Sequence, residues 1–104
     1  MGKERRREFH QILVDILGTT NVYFQPPATV RMTYPCIVYK RDNAQMIYAD
    51  HKTYKTTDRY EVTYISKDPD VNIVIKQLRE LKHGTFNRHF TADNLHHEVY
   101  IIYY

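Results

Sequence analysis

Asp58-Arg59-Tyr60-Glu61-Val62-Thr63-Tyr64-Ile65-Ser66 alternates without a break. Tyr60, Val62 and Tyr64 fall on one side of an extended chain and Glu61, Thr63 and Ile65 on the other, because successive strand side chains point to opposite faces. Upstream, Tyr34-Pro35-Cys36-Ile37-Val38-Tyr39-Lys40-Arg41-Asp42 reads as an earlier strand. Pro35 biases Tyr34 toward extended backbone, so the strand starts at Cys36 and runs to Lys40. Downstream, Leu95-His96-His97-Glu98-Val99-Tyr100-Ile101-Ile102-Tyr103 has the same β-branched and aromatic character and predicts the last strand.

The segments between these strands supply turns. Asp42-Asn43 is a turn signal, after which residues 46–49 read as a return strand. Residues 50–57, polar and rich in threonine and lysine, read as a mobile loop. Residues 36–66 together therefore predict an antiparallel meander. Residues 21–25 form a short strand that Pro26-Pro27 stops and places near a sheet edge, since proline lacks a ladder donor. Residues 85–90 predict another short strand, and Thr91-Ala92-Asp93-Asn94 a turn.

Two helices complete the chain. Phe9, Ile12, Leu13, Ile16 and Leu17 recur at helical spacing over residues 3–17, and Gly18 takes the left-handed stop. Asp68-Pro69-Asp70 reads as an N-cap followed by proline in the first turn. Val71, Val74, Ile75, Leu78 and Leu81 supply the apolar face of this second helix, Lys82 and His83 its C-terminal turn, and Gly84 its end. The order α-β-β-β-α-β-β predicts one α+β domain over residues 1–104. Its two amphipathic helices, of similar length, pack on one face of a mainly antiparallel sheet. The other face is then expected to carry tyrosines and threonines toward solvent or a neighbour.

Composition narrows the chemistry. Of 104 residues, 42% are hydrophobic and 26% charged, which excludes wholesale disorder. Ten tyrosines and four phenylalanines without tryptophan favour contact surface, because tyrosine joins large apolar area to a hydroxyl. The net charge of +3 is mild, and Glu4 and Glu8 interrupt the basic run Lys3, Arg5, Arg6, Arg7, which reads as a solvated first turn. The single cysteine, Cys36, excludes an internal disulfide and reads as a small buried hydrophobe. No apolar stretch has the length of a membrane span, and the charged N-terminus is unlike a signal peptide, so synthesis in the cytoplasm is expected.

Candidate reaction centres are sparse. His10, His51, His83, His89, His96 and His97 lack the i, i+4 spacing of a helical zinc motif, and His96 and His97 face opposite sides of a strand. Ser66 is the only serine, and three glycines make no phosphate loop. Neither enzyme, metal nor cofactor is expected. A base-stacking platform built from Tyr39, Tyr60 and Tyr64 beside Lys40, Arg41 and Arg59 is the nucleic-acid-binding alternative.

The helix at residues 3–17, the strand ending in Gln25-Pro26-Pro27 and Tyr34-Pro35-Cys36-Ile37-Val38-Tyr39 resemble small tail-completion proteins of long-tailed bacteriophages. Tyr60-Glu61-Val62-Thr63-Tyr64, leading to Asp68-Pro69-Asp70, and the closing Ala92-Asp93-Asn94-Leu95-His96-His97-Glu98-Val99-Tyr100 extend the resemblance over nearly the whole chain. These are the tail terminator or head-tail joining proteins, with adjacent neck or head-completion proteins the alternative. The resemblance implies a homo-oligomeric ring, usually a hexamer, that caps the head-proximal end of the tail tube. Its partners are then the major tail tube protein and the head connector, with DNA passing through the lumen without specific binding. The location is then the virion tail or neck after assembly in the host cytoplasm. The candidate interface residues are Tyr48, Asp50, His51, Lys52, Tyr54 and Lys55 in the polar segment, and Tyr103 and Tyr104 at the end.

Overall fold

The structure, a computed structural model, describes residues 2–49, 52–81 and 84–104. Helix α1 spans Gly2–Leu17 and presents Phe9, Leu13 and Leu17 to the core, with Ile12 and Ile16 half-buried on its flank. Gly18 ends it at φ +85°, its N–H donating to the Val14 carbonyl at 2.8 Å, a backbone state open to glycine at no steric cost. Strand β1 is the short segment Val22–Phe24, β2 is Cys36–Ala49 and β3 is Lys52–Ser66. Helix α2 is Ile73–Arg79, β4 is Gly84–Ala92 and β5 is Leu95–Tyr103.

The sheet order is β1-β2-β3-β5-β4, with β1 parallel to β2 and every other pair antiparallel. The α+β class and the element order are as the sequence predicts, and the short β1 lies at an edge. The register aligns one row across all five strands: Phe24, Tyr39, Val62, Tyr100 and Phe86. Neighbouring rows on that face bring Ile37 beside Tyr64, and Tyr60 beside Ile102. This is the face both helices cover. Phe9 lies against Tyr39, Tyr60 and Tyr104, with ring centroids 5.6, 4.8 and 5.2 Å away. Such aromatic pairs add about 0.5–1.5 kcal/mol each beyond the area they bury.

Four expectations are corrected. First, Asp42-Asn43 is not a turn. It is a bulge between Arg41 and Ala44 in a strand that continues to Ala49, so residues 46–49 belong to β2 and not to a return strand. Second, residues 52–57 lie in β3 rather than in a loop. Third, α2 begins four residues later than Asp68-Pro69 suggests and has 7 residues against 16 in α1. The Asp68 carboxylate accepts from the Asp70 N–H at 3.0 Å and from Asn72 Nδ2 at 3.2 Å, so it closes the turn before the helix. Asn72 is the cap instead, its Oδ1 accepting from Val74 N and Ile75 N at 3.0 and 3.2 Å. The later start leaves Val71 half exposed and buries Val74, Ile75 and Leu78. Gly84 opens β4 rather than ending α2, and Lys82 and His83 lie outside the described residues.

Fourth, four of the tyrosines turn inward, while Tyr23 and Tyr103 share the other face with Thr63 and Thr85. Tyr39, Tyr60, Tyr64 and Tyr100 are 0–3% exposed beneath the helices. Two of the four hydroxyls are paired inside the core: Tyr39 meets His10 Nδ1 at 2.7 Å, and Tyr64 accepts from Asn72 Nδ2 at 3.0 Å. The Tyr100 hydroxyl is buried near Arg79 without an aligned hydrogen-bond partner among the described residues. Burial holds the Tyr39, Tyr60 and Tyr100 phenols above their ordinary titration range.

Candidate interaction surfaces

Because Tyr39, Tyr60, Tyr64 and Tyr100 serve the core, the opposite sheet face carries the remaining surface chemistry of the sheet. Its middle row runs Tyr23, Val38, Thr63, Val99 and Arg88 across the five strands. One neighbouring row is Lys40, Glu61, Ile101 and Thr85, and the other is Cys36, Ile65, His97 and Phe90. Neither helix packs on this side. The Tyr23 hydroxyl accepts from Thr33 N at 3.2 Å and draws the β1–β2 connection toward the edge of the face. Cys36 is fully buried, as expected of a packing residue, and burial pushes its thiol up to about 11.

The face has an apolar middle and a charged margin. Arg59 Nε lies 3.4 Å from Asp42 Oδ2, an ion pair without hydrogen-bond alignment, and Arg88 lies 3.9 Å from Glu61. These exposed pairs contribute little to stability and leave the charges available to a partner. Beside them a groove of about 580 Å³ is lined by Gln25, Pro26, Val38, Lys40, Arg41, Glu61 and Thr63, together with Tyr39. Phe90 stacks on His97 at 4.4 Å with the Arg88 guanidinium 5.7 Å from its ring, forming an exposed aromatic and basic knob.

A second surface is the extension of β2 and β3. Strand β5 pairs with β3 only from Arg59 to Ser66, and β1 pairs with β2 only from Ile37 to Tyr39. Residues 45–49 and 52–57 pair only with one another among the described residues, forming a ribbon about 20 Å long. The molecule is correspondingly elongated, 46 × 26 × 22 Å. Of the sequence-predicted interface residues, Tyr48, Lys52, Tyr54 and Lys55 belong to this ribbon. Asp50 and His51 lie outside the described residues.

Tyr103 and Tyr104 separate in role. Tyr103 sits on the uncovered face opposite Arg59 and is half-buried. Tyr104 stacks on Phe9, receives the Arg5 guanidinium at 4.7 Å, and donates its hydroxyl to Glu8 at 3.3 Å. Its backbone pairs with Asp58 in both directions. Tyr104 is thus part of its own chain's packing.

His89 and His96 stack across β4 and β5 at 5.6 Å, and Glu98, buried on the helix side, meets Arg79 at 3.9 Å. Among the described residues no three His, Cys, Asp or Glu side chains converge on a metal-sized site.

Sequence reasoning missed the Arg88–Phe90 knob. Strict alternation places Phe86, Arg88 and Phe90 on one side, whereas a bulge between Phe86 and Arg88 sends Phe86 to the helix side and the other two to the uncovered face. The composition Asn87-Arg88 within an aromatic strand was the only signal for it. Fold and surfaces together define a two-layer α+β domain that presents an uncovered sheet face and a projecting ribbon. No protein-family model, curated protein or solved structure matches the chain.

Proposed function

We propose that the chain is a virion structural protein of long-tailed bacteriophages: a tail terminator that forms a ring, caps the head-proximal end of the tail tube and joins it to the head connector. The observation that carries this reading is the ribbon, whose residues 45–49 and 52–57 pair only with one another among the described residues. A lone two-stranded hairpin is marginal in water, so such an extension gains its stability from a partner. The uncovered face supports the same reading, with the partly exposed Val38, Ile101 and Tyr103 inside a margin of charge, the anatomy of a contact surface. The sequence resemblance supplies the kind of assembly, a homo-oligomeric ring with the tube protein and the connector as partners and DNA in the lumen. Burial of Tyr39, Tyr60 and Tyr64 removes the rings on which the nucleic-acid-binding alternative depends.

Adding the purified chain to polymerising tail tube protein tests the proposal by electron microscopy of tube length and tube ends. A terminator shortens the tubes and decorates one end with a ring. Unchanged tube lengths with bare ends contradict it, and rings that bind isolated connectors but not tubes assign the chain to the adjacent neck instead.

A further inference from the structure

Two exposed surfaces on opposite sides of this fold carry complementary features. On the helix side, α1 and α2 leave a groove of about 360 Å³ lined by Ile12, Ile16 and Leu81 with Asp15, Gln77 and Glu80 around them. Its lining is apolar at the centre and acidic at the rim. Asp15 accepts only from Gln11, at 2.9 Å, and Glu80 enters no ion pair among the described residues. On the uncovered sheet face, the Phe90–His97 stack stands beside Arg88, whose nearest carboxylate, Glu61, is 3.9 Å away. An aromatic knob with an arginine at its margin matches an apolar groove with carboxylates at its rim, in shape and in sign.

We infer that the Arg88–Phe90–His97 knob of one copy seats in the α1/α2 groove of the next, with Arg88 facing Asp15 and Glu80. The inference rests on the ring reading and names the two faces that build the ring. The occupant is a second copy of this chain, because the two features are complementary to each other and lie on opposite sides of one sheet. The contact is therefore between unlike patches. A contact of that kind closes into a ring when the rotation between copies is right, and cannot end at a symmetric dimer.

Two variants test it: Arg88→Glu, which alters the knob, and the double variant Asp15→Lys, Glu80→Lys, which alters the groove. All three side chains are exposed, so circular dichroism is expected to match the parent for both. Each variant alone is expected to weaken self-association about tenfold or more, read by sedimentation velocity over a concentration series. Mixed one to one, they are expected to reassemble, because the Arg88→Glu copy keeps an acidic groove and the double variant keeps the knob. Reassembly only on mixing establishes a knob-in-groove contact. If the parent chain forms rings and either variant forms them equally well, this contact is wrong while the ring stands. If the parent chain stays monomeric with and without tail tubes, the ring reading itself falls.

Discussion

His10 shows how one residue ties a helix to the sheet and makes the fold sensitive to pH. Its Nδ1 meets the buried Tyr39 hydroxyl at 2.7 Å, and burial together with the neighbouring Arg6 charge holds its pKa below the usual 6.5. As pH falls, the unfolded chain takes up this proton first. The stability tied to neutral His10 is therefore full above about 6.5 and is lost as pH drops through the lower folded-state value. Thermal unfolding is expected to show a lower Tm at pH 5.5 than at pH 7.5, and His10→Gln to reduce that difference. An equal pH dependence in parent and variant contradicts the role assigned to His10. Legibility at this scale was partial. Cys36 was readable as a packing residue from its apolar strand, but the tyrosines were not readable as core. Alternation separates two faces without saying which is inside, and a tyrosine suits either when its hydroxyl finds a partner such as His10 or Asn72.

Among the elements, α1 was legible because one helical period runs through it and Gly18 follows, and β5 because β-branched and aromatic residues run on from the Asp93-Asn94 turn. The hairpin turn narrows to those two residues, both at positive φ, +53° and +61°. Helix α2 was misread at its start because Asp68-Pro69-Asp70 satisfies every start rule, while Asn72 is positioned by both Asp68 and Tyr64. Asn72→Ala is expected to cost about 1–2 kcal/mol, the loss of a cap. Asp68→Ala is expected to cost less, because the cap itself remains. Urea titrations of the two variants measure this, and equal losses contradict the assignment of Asn72 as the cap. The ribbon was illegible for a different reason. Its threonines, lysines and Asp42-Asn43 have loop composition, and only pairing between residues 44–49 and 52–58 makes them strand.

At the scale of the whole molecule, the two layers divide the labour. The helices cover Tyr39, Tyr60, Tyr64 and Tyr100, leaving a sheet face, a knob and a ribbon that neither helix covers. A domain of 104 residues gains stability from association, so folding and assembly are expected to reinforce one another. The proposed ring rests on whole-chain resemblance, because no catalytic or metal-binding pattern marks a structural contact. The faces proposed to build it depend on a bulge at Asn87 and on the groove between α1 and α2, and neither is visible as a sequence period.

The central claim is that this chain works as a closed homo-oligomer, and its solution mass tests that most directly. Light scattering coupled to size-exclusion chromatography, over a concentration series with and without purified tail tubes, is expected to reveal a discrete species. Its mass should be near six times the 12.6 kDa of the chain, either alone or on tube ends. A mass of one chain at every concentration, with no material carried by the tubes, would contradict the account.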